Sequence, residues 1–415
     1  DDAYLRYFDF STEDRLTSEL YAERYRRDGF LDLRALRFQS LRNREPAGEI
    51  PIVLPAFEAR EAFADPWTGG EFAATASAQG LYRTGGEDTA RLSLGLDWER
   101  EEILPVGLAL KGFAELRGDL FFVEDADEPQ DDIVPRLAPL AGVEARFPLI
   151  ADTTFESGRT LSHVLEPIAQ AIVAPYGGND DDIPNEDSRI TEFDELSLFD
   201  RNHFSGIDGF EEGPRLNLGL RYAMIGGGAV DFDATAGRVL RFSDADEFSV
   251  GSGLRNAQSD WVAGWQASYD PYVTVRHRIR VGGDDLSVTR NSARLRLAYD
   301  FARLTAGYTF LDADPVADAP RDREEISARL NLALTDQWSI NGFLRHDLEL
   351  EEPVFLGAGV RFSNECCTIS AFLRRDFTDT ENVPASTSFG VQVQLVTLGG
   401  AGDDAGALDV GGFGR

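Results

Sequence analysis

Arginine has the greatest chemical reach of any residue in this 415-residue sequence. Arg215, Arg221, Arg276, Arg278, Arg280, Arg294, Arg296 and Arg329 all fall on the polar side of segments that alternate apolar and polar residues. A guanidinium is a rigid fork that binds phosphate or carboxylate through two parallel hydrogen bonds, so such a row suits an anionic ligand. The same row could also pair with acidic neighbours across a polar interior and only hold its shape. Other chemistry is sparse. His163, His203, His277 and His346 are isolated, without the spacing of a zinc site. Neither a phosphate-binding glycine loop with its lysine nor a nucleophile elbow is present. Ser162 and His163 are neighbours and would point to opposite faces of a strand. The residue set speaks against an enzyme and calls for no cofactor and no metal.

Cys366 and Cys367 are the two cysteines of the sequence, and they are adjacent. They could form a vicinal disulfide, remain free, or pair with cysteines outside this sequence. An oxidising compartment makes the last arrangement reasonable.

The elements that carry these residues read as strands. In 215–224, Leu216, Leu218, Leu220, Tyr222 and Met224 alternate with Arg215, Asn217, Gly219 and Arg221. Residues 273–281 and 326–335 repeat the pattern, and period two places successive side chains on opposite faces of a sheet. Segments of about ten residues recur down the chain, the length of a tilted strand crossing a bilayer, and roughly nineteen can be counted. From residue 215 onward the connections alternate short and long, as in outer-membrane barrels with short periplasmic turns and longer extracellular loops. The fold expected is therefore all-β, a transmembrane antiparallel β-barrel occupying residues 1–398, with 399–415 as a C-terminal tail. This orientation makes the turn holding Cys366 and Cys367 periplasmic and the insertion at 177–213 extracellular. The first part of that insertion is acidic. Its second part carries Phe193, Leu196, Leu198, Phe199, Phe204, Ile207 and Phe210, too apolar to lie in water, so it should fold back as a plug or cap.

Composition agrees. No stretch is long and apolar enough for a transmembrane helix, and mean hydropathy is −0.27, as a barrel with a polar inner face requires. The formal net charge of −33 excludes broad nucleic-acid binding. The acid concentrates in expected loops at 124–132, 180–187, 244–247, 312–325, 349–352 and 376–381. Oxygen-rich clusters of that kind suit Mg²⁺ or Ca²⁺, and they equally serve solubility alone. The sequence starts at Asp1 with no signal sequence, so an upstream part is expected.

Several segments together resemble one family, the outer-membrane lipopolysaccharide-assembly protein LptD (also OstA or Imp). The strand Leu165-Glu166-Pro167 leads to Ala174-Pro175-Tyr176, then through Asp187-Ser188 to Ser197-Leu198-Phe199 and Phe204-Ser205-Gly206-Ile207-Asp208-Gly209. This is similar to the family's LEP strand and its DS…LF…F-x-G-x-D-R loop, with Gly209 standing where the family usually has arginine. Cys366-Cys367 resembles the family's late cysteine pair. The segment 389–398, with Phe389, Val391, Val393 and Leu395 on one face, resembles its closing strand. Weaker matches are Asp2-Ala3-Tyr4-Leu5 and Pro51-Ile52-Val53-Leu54-Pro55.

The resemblance implies roughly 19–21 strands of a barrel of about 26, with a periplasmic jelly-roll upstream. It implies lipopolysaccharide as cargo, delivered by an LptA-like periplasmic bridge and released sideways into outer-membrane lipid through a seam at the closing strand. It further implies an LptE-like plug lipoprotein and disulfides from Cys366 and Cys367 to upstream cysteines. A porin or solute transporter is the alternative, since such barrels share the strand cadence.

Overall fold

A computed structural model describes residues 15–42, 45–124, 132–189, 192–226, 230–313, 321–379 and 384–395. The expected tail at 399–415 and the weak match at Asp2–Leu5 lie outside them. Among the described residues twenty strands form one antiparallel sheet. The first group is β1 (Arg15–Tyr25), β2 (Gly29–Ser40), β3 (Ile52–Ala64), β4 (Glu71–Tyr82), β5 (Asp88–Ile103), β6 (Ala109–Glu124) and β7 (Asp132–Arg146). Then come β8 (Leu149–Thr154), β9 (Thr160–Val173), β10 (Arg215–Gly226), β11 (Val230–Arg241), β12 (Trp261–Tyr269) and β13 (Val273–Val281). The rest are β14 (Val288–Tyr299), β15 (Ala302–Leu311), β16 (Arg323–Ala333), β17 (Trp338–Asp347), β18 (Glu352–Ser363), β19 (Cys367–Asp376) and β20 (Ser386–Leu395).

Neighbours in sequence pair antiparallel, as in β1–β2, β5–β6, β13–β14 and β19–β20. One step departs from this order. β7 pairs directly with β9, from Ala141↔Val173 to Arg146↔Ile168, leaving the short β8 outside that register. The structure ends β7 at Arg146, because Pro148 has no N–H for the ladder and β8 starts only after it. Among the described residues, β1 has a register with β2 alone and β20 with β19 alone, so each presents one edge without a partner strand.

The described residues form two compact units. One draws on the described residues within 15–149, 166–220 and 237–260, the other on those within 150–165, 221–236 and 261–395. In both units the sheet has one apolar face open to its surroundings. Leu92, Leu94 and Leu96 of β5 are exposed, as are Ile326 and Leu330 of β16 and Phe389, Val391, Val393 and Leu395 of β20. Phe389 is 74% exposed. A soluble protein does not leave rows of leucine and valine in water strand after strand, whereas hydrocarbon accepts them. Among the described residues no helix is long and apolar enough to cross a membrane, so any crossing is made by strands.

At the short turns of the second unit, aromatic rings stack in a row. Tyr269–Tyr272, Tyr272–Tyr299 and Tyr299–Phe301 have ring centroids 5.9, 5.3 and 6.1 Å apart, and all four rings are exposed. Such a row is the girdle expected where a barrel wall meets lipid head groups.

Placing arginine at Leu330, on the exposed apolar face of β16, should destabilise the protein by about 2–4 kcal/mol if that residue lies near the bilayer midplane. Arginine at the adjacent Asn331 should be tolerated. Denaturant unfolding of both variants in lipid would check this, and equal costs would mean the two faces are wrongly assigned.

Candidate functional site

Residues 177–213 connect β9 to β10, and the first unit is built around them. Their apolar members turn inward: Phe193 is 1% exposed, Leu198 0% and Phe210 5%, while Leu196 remains in solvent. The sheet makes room through glycine. A Cβ at Gly219 would meet the Phe199 ring at 2.7 Å, and one at Gly237 would meet Leu198 Cδ2 at 2.5 Å. Leu198 and Phe199 therefore rest on strand backbone of β10 and β11. From β9, Gln170 donates to the Phe199 carbonyl at 3.0 Å and accepts from Asn217 at 2.7 Å.

The loop closes on itself through Asp187 and Asp208. Asp187 Oδ1 accepts the backbone N–H groups of Ile207 and Asp208 at 2.9 and 3.1 Å. Asp208 Oδ2 accepts those of Glu186 and Asp187 at 2.8 and 3.0 Å. Ser188 Oγ takes the Gly209 N–H at 2.6 Å and donates to the Ser205 carbonyl at 2.7 Å. Gly206 has φ +71° and lies against the Asp187 carboxylate, a position and a conformation that favour a residue without Cβ.

The strands grip this clasp with guanidinium groups. Arg91 binds both Asp187, at 2.7 Å, and Asp208. Arg136 donates to the carbonyls of Ile207 and Asp208 and is itself held by Asp119 at 2.8 Å. Arg117 reaches the Ile207 carbonyl at 2.9 Å. Arg83 takes Glu186 with both terminal nitrogens, at 2.9 and 2.7 Å. The loop's own Arg201 reaches back to Glu115 at 2.7 Å and Glu99 at 2.9 Å, over the ring of Phe113.

A second cluster lies deeper. Glu211 is 0% exposed, hydrogen-bonds His203 Nδ1 at 2.7 Å and Arg241, and forms an ion pair with Arg215, whose Nε lies 3.2 Å away. Burial opposes ionisation of Glu211 more than any other influence, yet His203 and the two guanidinium groups together hold its carboxyl well below the ordinary carboxylate range. Burial likewise lifts Asp208 above its usual value, with Arg91 opposing, whereas Arg91 and two backbone N–H donors overcome burial at Asp187 and keep it low.

The arginines singled out from sequence thus divide. Arg215 belongs to the Glu211 cluster, its side chain fully enclosed, and is not on a surface that meets ligands. Arg221 pairs with Asp233 at 2.6 Å. Arg276, Arg278, Arg280, Arg294 and Arg296 share the polar face of the β13–β14 hairpin, and Arg329 takes the same face two strands on, where it stands opposite Thr305. Leu165, Glu166 and Pro167 lie in β9, whose buried Ile168, Gln170 and Ile172 lead toward the loop. Phe389, Val391, Val393 and Leu395 form the exposed face of β20, which ends at Leu395 within the described residues. Cys366 and Cys367 are free thiols, the first exposed, at the β18–β19 turn, where Asn364 Oδ1 accepts both their N–H groups at 2.9 Å. Among the described residues no group of three or more metal-ligating side chains is assembled.

Sequence reasoning missed Glu211, His203, Arg241, Arg91, Arg136 and Asp119. One signal could have found the first two: charged residues within an otherwise aromatic run should be buried and therefore partnered.

Antiparallel strands that expose apolar side chains on one face, an aromatic girdle at short turns and a loop packed on the polar face define an outer-membrane β-barrel protein. The family model described as LptD, LPS transport system D, matches residues 1–338, and the chain belongs to that family. The LPS-assembly protein LptD of Pasteurella multocida (strain Pm70) is 25% identical over 296 residues, 64% of this chain and 37% of that protein. That of Aeromonas salmonicida (strain A449) is 26% identical over 282 residues, 62% of this chain and 33% of its own length. The chain therefore spans about a third of the length of these relatives. Among solved structures, the siderophore receptor PirA from Acinetobacter baumannii is 8% identical at a TM-score of 0.40, covering 91% of this chain and 70% of that one.

Glu211→Gln leaves two buried guanidinium groups against a neutral amide and should cost about 3–5 kcal/mol, read as faster proteolysis within residues 177–213. The pH sign follows from the shifts. Glu211 and Asp187 are depressed, so their contribution is fully present above the ordinary 4.5 and 3.8 and is lost as pH falls through the lower folded values. Asp208 is raised, so its cost at neutral pH is relieved by acid. Protease protection of the loop should stay level from about pH 7 to 5 and fall only in strong acid; a loss near pH 6 would contradict this.

Proposed function

We propose that the chain forms part of the wall of a translocon that places lipopolysaccharide in the outer leaflet of the outer membrane. Family membership over residues 1–338 is the observation that carries this reading. The polar face of the sheet supports it, since guanidinium rows suit the phosphates and acidic sugars of such a cargo. In this reading Arg276, Arg278, Arg280, Arg294, Arg296 and Arg329 line the path of the head group on the lumen side. The β20 face of Phe389, Val391, Val393 and Leu395 borders a lateral seam opening to outer-membrane lipid. An edge strand without a partner is the place where a wall can part at low cost, and β20 has such an edge among the described residues.

The partners follow from the same reading. An LptE-like lipoprotein would occupy lumen space that residues 177–213 leave open, and an LptA-like bridge would dock on a domain upstream. Cys366 and Cys367, at a short turn on the periplasmic side, would bridge to upstream cysteines. A passive pore is less well supported: the inserted loop is fastened by at least Arg83, Arg91, Arg117 and Arg136, so it would obstruct a channel rather than frame one.

Depleting the full-length protein in its host should lower newly made lipopolysaccharide at the cell surface while total synthesis continues. Surface lipopolysaccharide that holds steady on depletion would overturn the translocon reading, and steady open-channel conductance in planar bilayers would then identify a pore.

A further inference from the structure

Between the inserted loop and the polar face of β2–β7 lies a cavity of about 620 Å³. Its wall includes a row that runs straight across four strands: Asp32 stands opposite Glu58, Glu58 opposite Ser77, and Ser77 opposite Ser93. Arg91 lies two residues from Ser93 along β5, and Ile207 and Phe210 close the cavity from the loop side. Gly95, two residues the other way, keeps the floor low, since a Cβ there would collide with Thr75 Oγ1.

Asp32, Glu115 and Arg91 of this cavity are already ion-paired. Arg34 Nε donates to Asp32 Oδ2 at 2.8 Å, Arg201 takes Glu115 at 2.7 Å, and Arg91 commits its terminal nitrogens to Asp187, Asp208 and Gln79. What is unmet is hydrogen bonding. Among the described residues, Ser77 Oγ, Ser93 Oγ, Arg91 Nε and Asp32 Oδ1 are buried and lack a hydrogen-bond partner. Ser93 as a whole is only 4% exposed. Folded proteins pair nearly every buried polar group, so several such atoms around one cavity mark a place where something else completes them.

The atoms themselves select the chemistry. A bare cation cannot accept the Arg91 N–H. An anion cannot donate to Asp32, and it would face the carboxylates of Glu58 and Asp97 as well. A hydroxyl does both, because its O–H donates and its lone pairs accept. From Asp32 to Ser93 the row covers about 14 Å, three strand spacings, which is more than one alcohol group can serve.

We propose that this cavity is a subsite for a neutral saccharide of one or two rings. Its hydroxyls accept from Arg91 Nε, donate to Asp32 Oδ1 and exchange hydrogen bonds with Ser77 and Ser93. Its C–H face packs on Phe210 and Ile207. The volume suits such an occupant, small-ligand cavities being about 300–1,000 Å³. The assignment deepens the translocon reading and rests on it only for the source of the saccharide, the head group of the cargo.

The test uses the purified full-length protein in a detergent without a sugar head group. Glucose, galactose, N-acetylglucosamine and maltose are titrated in turn and followed by saturation-transfer NMR. At least one sugar should bind the wild type saturably, with an affinity indifferent to salt, because hydrogen bonds rather than charge hold it. S77A/S93A should bind at least about tenfold more weakly, the contribution of two neutral hydrogen bonds. Neither hydroxyl has a partner within the protein, so this variant should fold like the wild type, which heat-modifiable migration on gels checks. S162A removes a hydroxyl that already donates to Asp152 at 2.7 Å and should bind like the wild type. If no sugar binds saturably, ordered water alone fills the cavity and the subsite is overturned. Equal binding by the double variant, or an affinity that falls steeply with salt, overturns it too. None of these results touches the translocon reading, which the depletion experiment judges. The source is read separately with a photoreactive residue at Glu58, exposed on the cavity rim, in living cells. Capture of lipopolysaccharide assigns the saccharide to the head group. Sugar binding without such capture keeps the subsite and overturns the head group as its occupant.

Discussion

In hydrocarbon no water is available to a peptide N–H or carbonyl, and this constraint shapes the whole chain. Every strand must find its hydrogen bonds in a neighbouring strand, so long antiparallel registers such as Asp88–Ile103 with Ala109–Glu124 are obligatory. Once the backbone is satisfied in this way, period two assigns the side chains. Leu92, Leu94 and Leu96 are left facing outward, and Arg91, Ser93 and Asp97 face the other side. Within the strands the polar face is then the only place where charge can be concentrated, and two groups of arginines lie on it.

Those features use the face differently. In the first unit the chain covers the face with its own loop, and each strand arginine that contacts the loop meets a carboxylate or carbonyl. Arg91 holds Asp187 and Asp208, Arg136 holds the backbone beside them, and Arg241 and Arg215 hold Glu211. Breaking such a buried pair costs more than its formation gains, because the remaining partner keeps its desolvation cost, so the clasp acts as a fastening. In the second unit arginines oppose one another across β13 and β14 and enclose a cavity. The first arrangement is internally neutralised.

This division was only partly legible beforehand. The strand cadence and the exposed apolar row on β20 could be read from alternation, because period two is a local property of the backbone. The apolar half of the insertion also signalled that it folds back, and Phe193, Leu198 and Phe210 are buried. Arg215 and Arg276 look alike in sequence, each the polar member of an alternating strand. The structure separates them, because Glu211 is delivered to Arg215 by a loop whose path no local pattern encodes. His203 looked isolated for the same reason, its partner Glu211 being brought near by the turn of the loop.

What the sequence determined by itself was periodicity: which side chains share a face, how long each crossing is, and where the chain must turn. Those follow from the pleat and from the absence of water in the bilayer, and they need no knowledge of which strand pairs with which. Tertiary structure alone decided register and loop path. Register set Arg276 against Arg294 rather than one residue away, and the path of residues 177–213 brought Asp187, Asp208 and Glu211 onto Arg91, Arg215 and Arg241. Both are long-range matters, fixed by contacts between residues far apart in the chain, and charge pairing at a few ångströms depends on them entirely.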